Sequence, residues 1–184
     1  MKRVFIGYKC EPFTDLLFTT GKLKKQLSDA RIKWASPEYW HITSHFIGKA
    51  DDNELEILKE IIAETGKQTN PIRVAVTGIG FFPTADRPKI LWTGVEPQDE
   101  LSKLYYKTGA LLRSEGFKTD SRPYNPHITL ARIKHCSNPE LTDDIERAYA
   151  DIVFGALNIN EIILYESRLS PSGAVYIPLF KTKI

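Results

Sequence analysis

A short phrase that occurs twice constrains this chain more than any other feature. Tyr39-Trp40-His41-Ile42-Thr43 and Asn125-Pro126-His127-Ile128-Thr129 each set a histidine two residues ahead of a threonine among β-favouring neighbours. On a strand, residues i and i+2 leave the same face about 7 Å apart. Each phrase therefore offers an imidazole beside a hydroxyl, with Ile42 or Ile128 directed the other way into a core. Two imidazoles and two hydroxyls facing one another suit a small oxyanion such as phosphate.

The halves run in register. The histidines are separated by 127 − 41 = 86 positions, and the same offset carries Phe5 to Leu91, Asn53 to Pro139 and Ile72 to Asn158. The spacing predicts strand, helix, histidine strand, helix, strand, twice over. This reads as a duplicated α+β unit, with approximate repeats 1–86 and 87–184 in a single domain, 1–184. Pseudo-twofold symmetry then faces the two histidine strands across a groove.

Local patterning fills in the elements. A buried strand is expected at Val4–Tyr8, then a helix with Pro12 in its first turn and Leu16, Leu23 and Leu27 inward. Trp34–Glu38 reads as a link into the first histidine strand, which runs on through Phe46-Ile47 to Gly48. Asp51-Asp52-Asn53 supplies an N-cap for a helix burying Leu55, Leu58, Ile61 and Ile62. Ile72, Val74 and Val76 alternate as a strand, residues 81–88 are rich in turn formers, and Ile90 opens another strand. A helix follows over Pro97–Arg113, and Asn138-Pro139 starts the next. Two last strands, Leu157–Glu166 and Ala174–Phe180, are joined by Ser170-Pro171-Ser172-Gly173.

With 42% hydrophobic and 26% charged residues, the 184-residue chain has the make-up of a soluble globular protein. Its net charge is +2. A long nucleic-acid footprint normally wants a clearly basic stripe, so the total leaves room only for a short or end-binding contact. Lys9 cuts the first apolar run too early for a signal peptide, and no run approaches the roughly 20 residues of a membrane span. Cys10 and Cys136 are lone cysteines rather than a disulfide framework. A cytoplasmic monomer with no obligate protein partner is expected.

The pattern His-x-Thr/Ser is weak by itself, because His135-Cys136-Ser137 also fits it just before a turn, where His135 reads as a surface residue. His45 either lines the groove with His41 or is a partly exposed polar residue at the strand end. Thr43 and Thr129 gain meaning only beside their histidines, since threonine favours strands anyway. A zinc site wants three or four ligands at close spacing, and threonine hydroxyls are poor ones. There is no nucleophile elbow, and Gly78-Ile79-Gly80 lacks the rest of a phosphate loop. Paired acid–base catalysis is what remains. One neutral imidazole takes a proton from the nucleophile, and one protonated imidazole gives a proton to the leaving oxygen. Hydroxyls meanwhile steady the phosphoryl oxygens. No metal or cofactor is called for.

Trp40-His41-Ile42-Thr43 through Phe46-Ile47-Gly48, with Arg122-Pro123-Tyr124-Asn125-Pro126-His127-Ile128-Thr129-Leu130-Ala131-Arg132, resembles the two-histidine (2H) phosphoesterase superfamily. The nearest likeness is to RNA 2′,3′-cyclic phosphodiesterases, also called bacterial-type 2′-5′ RNA ligases. Phe82-Pro83 to Leu91-Trp92 and Glu166-Ser167-Arg168-Leu169 before Val175-Tyr176 extend it over essentially the whole chain. The resemblance implies a bilobal α+β fold, with two mainly antiparallel sheets facing a central cleft and helices outside. It further implies metal-independent opening of an RNA terminal 2′,3′-cyclic phosphate to a 2′-phosphate, alongside reversible 2′-5′ RNA end joining. His41 would be the general acid, His127 the general base, and Thr43 and Thr129 the phosphate holders.

Arg132 matches a family arginine expected near phosphate, yet strict alternation puts it on the face opposite His127. Either the strand bulges there, or Arg132 acts from the rim, or it is a surface residue. Tyr124, Tyr39 and Phe82 either stack on a terminal base or serve packing. Ser44 and His45 depart from the family pattern, which usually has leucine at the first of these positions. Other readings are a different small substrate, such as ADP-ribose 1″,2″-cyclic phosphate or a 2′,5′-oligonucleotide, and a non-catalytic binder of RNA ends.

Overall fold

The computed structural model describes residues 1–170 and 173–184. The described residues form β1 (Lys2–Lys9), α1 (Thr14–Gln26), β2 (Arg31–Trp34), β3 (His41–Ala50), α2 (Asp52–Lys67), β4 (Ile72–Phe82) and β5 (Ile90–Glu96). Then come α3 (Asp99–Ser114), β6 (His127–His135), α4 (Pro139–Tyr149), β7 (Val153–Ile159), β8 (Glu161–Ser170) and β9 (Gly173–Lys183). A 3-10 turn at Pro37–Tyr39 leads into β3. No helix among the described residues is long and apolar enough to cross a membrane.

The strands pair antiparallel in the order β7-β4-β5-β6-β3-β1-β8-β9, with β2 off this path against β6. The halves β7-β4-β5-β6 and β3-β1-β8-β9 meet through one residue pair, Ile42 with Ile128. Two sheets facing a cleft thus become one curled sheet hinged at the isoleucines between histidine and threonine. Beyond that pair β3 and β6 diverge, and β2 takes up the free edge of β6 from Ala131 to His135.

The helices form where caps and periodicity place them. Asp51 caps α2 with a full capping box, accepting from the Glu54 amide while the Glu54 carboxylate accepts from the Asp51 amide. Asn138 accepts from the Leu141 amide at the start of α4. Leu55, Leu58, Ile61 and Ile62 of α2, Leu101, Leu104 and Leu112 of α3, and Leu16 and Leu23 of α1 enter one core with the inward residues of both half-sheets. A separate small cluster, Phe5, Ile163 and Tyr165, lies on the opposite face, with Tyr176 packed against it.

The expected elements differ from these in four places, the first at Pro12, which precedes the α1 N-cap Phe13 rather than lying in the first turn. Residues 31–34 form β2, so Trp34 ends a strand rather than opening the expected link, and Phe81 and Phe82 end β4 rather than opening a loop. The expected strand at Leu157–Glu166 is two strands, β7 and β8, broken at Asn160, so Asn158 sits near the end of a strand instead of opening one. Of the expected Ser170–Gly173 join, Pro171 and Ser172 lie outside the described residues.

Candidate active site

The two histidines are the first residues of β3 and β6. The antiparallel pairing of Ile42 with Ile128, both fully buried, sends His41, Thr43, His127 and Thr129 to the open face. The same register sets His41 beside Thr129 and Thr43 beside His127. All four are half-buried.

Each imidazole is anchored the same way. Nδ1 of His41 lies 2.7 Å from the Tyr39 carbonyl oxygen, and Nδ1 of His127 lies 2.7 Å from that of Asn125. A carbonyl only accepts, so Nδ1 carries the proton and, in the neutral ring, Nε2 keeps its lone pair. Burial lowers both histidines from their ordinary range, His41 to about 4. The backbone bonds oppose this shift, while the positive charge of Arg132 adds to it at both rings. An unliganded site thus holds two neutral imidazoles, and a bound dianion or monoanion would favour protonating one of them.

A β-bulge follows the threonine in both strands. In β3, Gly7 pairs with Thr43 and Ile6 with His45, leaving Ser44 as an extra residue. In β6, Trp92 pairs with Thr129 and Leu91 with Ala131, leaving Leu130 extra. The positions again differ by 86. Two consecutive side chains, Ser44 and His45 or Leu130 and Ala131, are thereby buried together. The next residue returns to the open face. In β6 that residue is Arg132, which therefore shares the face of His127 and Thr129. In β3 it is Phe46, 67% exposed.

The same bulge removes His45 from the groove. It is 3% exposed, its Nδ1 lies 2.9 Å from the Ser44 hydroxyl, and its ring stacks on Tyr105 at 4.3 Å. Burial and the nearby Arg113 hold its pKa down to about 4. Tyr124 covers the other face of Tyr105 at 4.1 Å and donates its hydroxyl to the Thr43 carbonyl at 3.3 Å. Tyr124 thus stands behind the motif strands with one ring face already taken. His135 is exposed at the end of β6.

Aromatic walls flank the imidazoles. Beside His41 are Phe5 at 4.9 Å, Tyr176 at 4.8 Å and Tyr165 at 6.0 Å, with Tyr39 edge-on to Tyr176 and Phe46 adjoining Phe5 at 5.9 Å. Beside His127 are Phe82, edge-on at 4.9 Å, and Trp92 at 6.3 Å, stacked on one another. Phe5, Phe46, Trp92, Tyr165 and Tyr176 were not among the expected site residues. Their strands come together only in the sheet, and period-two counting from His41 puts Phe46 on the wrong face.

A sequence model of the LigT-like phosphoesterase family matches residues 13–92 and again 94–176. The chain is 32% identical to the RNA 2′,3′-cyclic phosphodiesterase of Archaeoglobus fulgidus, over 84% of this chain and 85% of that one. It is also 32% identical to the protein of that name from Aquifex aeolicus, over 95% and 93%. In fold it is similar to TT0787 of Thermus thermophilus, with a TM-score of 0.78 at 22% identity, over 98% of this chain and 97% of that one. It is likewise similar to Escherichia coli LigT complexed with 3′-AMP, with a TM-score of 0.72 at 19% identity, over 100% and 98%. With two histidine strands hinged at Ile42 and Ile128, and with these relatives, the chain belongs to the LigT-like phosphoesterase family of the 2H superfamily.

Proposed function

We propose that the protein opens the terminal 2′,3′-cyclic phosphate of RNA to a 2′-phosphate, without a metal, through His41 and His127. The observation that carries this reading is the matched anchoring of the two rings. Each Nδ1–H is committed to a backbone carbonyl, leaving Nε2 as the one atom able to exchange a proton with substrate.

In the reaction, His127 Nε2 takes a proton from water as the water oxygen bonds to phosphorus. The bond from phosphorus to O3′ breaks on the opposite side, and protonated His41 gives its Nε2 proton to O3′. One ring starts neutral and the other protonated; they end exchanged. The direction, acid at His41 and base at His127, is the one the family resemblance implies. Thr43 and Thr129 donate to the non-bridging oxygens, and the Arg132 guanidinium stabilises their charge. Tyr39, Phe82, Phe46 and Tyr176 supply faces for the terminal base, a role in which aromatic rings tolerate any nucleobase. Tyr124 is assigned to positioning instead, because it stands behind the motif strands, stacked on Tyr105 and with its hydroxyl committed to the Thr43 carbonyl. End joining through a 2′-5′ bond is the same displacement with the 5′-hydroxyl of a second RNA in place of water, O3′ again leaving with the His41 proton.

We further read the two lobes as copies of one unit, supported by the 86-residue offset that carries both the histidines and the bulges.

The test is incubation with a 2′,3′-cyclic nucleotide in EDTA, with the product isomer identified. The 2′-phosphate is expected. A 3′-phosphate, no turnover, or turnover abolished by EDTA would each overturn the reading.

A further inference from the structure

We propose that the β2–β6 face beside the cleft binds the backbone phosphates of an RNA strand whose 3′ end occupies the site. The preferred substrate is then an oligonucleotide rather than a free cyclic nucleotide. This rests on the cyclic-phosphodiesterase reading above and extends it to substrate length.

The net charge of +2 conceals a local concentration of cations. In β2, Ile32 and Trp34 pack against the core, so Arg31 and Lys33 project from the opposite, open face. Lys33 pairs directly with Arg132, and Arg31 with His135. Residues paired across an antiparallel ladder share a face. Arg132, Lys33 and Arg31 therefore form a file that begins at the histidines and runs outward along the strands. Arg31 and Lys33 lie about 7 Å apart along β2, a step that suits successive backbone phosphates.

The file carries no counter-charge of its own: among the described residues, none of the nine ion pairs includes Arg31, Lys33 or Arg132. The acids nearest in sequence, Asp29 and Glu38, form no ion pair with the file, and Glu38 instead accepts from the Ser36 hydroxyl. The cleft is also asymmetric. At the position after the bulge, β3 carries Phe46 where β6 carries Arg132. A terminal base on the aromatic β1–β3 side leaves the sugar–phosphate chain to exit over the cationic β2–β6 side.

The experiment measures kcat/KM, across a salt series, for a cyclic-phosphate-ended RNA of about eight nucleotides and for the matching cyclic mononucleotide. It compares the wild type with the double variant Arg31→Glu, Lys33→Glu. Both side chains are exposed, so the fold is expected to survive; circular dichroism checks this. The variant should lose tenfold or more on the oligonucleotide and less than twofold on the mononucleotide. The neutral pair Arg31→Ala, Lys33→Ala should flatten the oligonucleotide's log–log salt slope by about 1.4, at about 0.7 for each phosphate no longer neutralised. Equal losses on both substrates, or no loss on either, would overturn the proposal. If wild type opens neither substrate, the cyclic-phosphodiesterase reading is what fails. The anisotropy of a labelled 3′-phosphate RNA then tests the face separately, and an unchanged Kd in the charge-reversed variant would overturn it.

Discussion

The Tyr124 hydroxyl donates to the Thr43 carbonyl across 81 positions of sequence, at 3.3 Å. It joins the segment entering the second histidine strand to the motif threonine near the start of the first. Behind this bond the His45, Tyr105 and Tyr124 rings form a column, with interplanar angles of 8° and 3°. Among the described residues the strand ladder joins the half-sheets through the Ile42–Ile128 pair alone, so the column is a second tie between the motifs.

Tyr105→Leu removes the middle ring of that column. Each stacked pair contributes about 0.5–1.5 kcal/mol, so a stability loss of about 1–3 kcal/mol is expected in urea titration. If the column also sets the spacing of the two histidines, kcat should fall about tenfold with KM little changed, because small misplacements are costly in rate. Tyr105→Phe should restore kcat. A Leu variant with lower stability and wild-type kcat would make the column purely structural.

The low histidine pKa values fix the acid side of the rate profile. Catalysis needs one imidazole protonated and one neutral, and the pair titrates as a unit. Burial lowers both from 6.5 in the free enzyme, His41 to about 4. The profile of kcat/KM against pH is therefore expected to peak below 6.5 and to fall toward pH 8, as the protonated partner disappears. His41→Ala and His127→Ala should each cost 10² to 10⁴ in kcat/KM and remove one limb of the profile. A maximum above pH 8 would contradict this arrangement.

The histidine strands are legible in the sequence because their apolar alternation is strict around Ile42 and Ile128. The alternation breaks three residues later. The extra residues Ser44 and Leu130 are neither glycine nor proline, so no local signal marks a bulge. Counting by twos from His41 then puts His45 in the groove and Phe46 in the core, the reverse of what is found. For Arg132 the same count sets the family resemblance against the pleat, and the bulge at Leu130 resolves the conflict. Arg31–Trp34 has the alternation of a half-buried strand, but four residues ahead of Ala35-Ser36-Pro37 carry too short a pattern to separate from a link. The basic face is hidden with it. Its cations are paired by register between residues a hundred positions apart, which a net charge cannot register.

His45 ties stability to pH. It is 3% exposed, and burial places its pKa near 4 against 6.5 when unfolded. Below the unfolded value the unfolded chain binds the proton that native His45 refuses. Its contribution is thus complete above pH 6.5 and is lost as pH falls toward 4. The span corresponds to on the order of 3 kcal/mol at 1.36 kcal/mol per pKa unit. Urea midpoints at pH 7 and pH 4.5 should diverge less for His45→Gln than for the wild type. Equal divergence would show that other groups govern the acid limb.

Phe46 separates recognition from chemistry. Its ring is exposed beside Phe5, which in turn touches His41, so it lies within reach of a base attached to a phosphate held at the histidines. Its removal leaves both Nδ1 anchors in place, because those bonds run to the Tyr39 and Asn125 carbonyls. Phe46→Ala should therefore act on binding, raising KM for a cyclic nucleotide with kcat changed less than twofold. Base–aromatic stacking is worth about 1–3 kcal/mol, which converts to a rise of roughly 5-fold to 150-fold. Phe46→Trp should keep or lower KM, because a larger π-face serves the same base. A substrate analogue lacking the base should bind the wild type and Phe46→Ala equally. If that analogue also distinguishes the two proteins, Phe46 is shaping the cleft through Phe5 rather than holding the base.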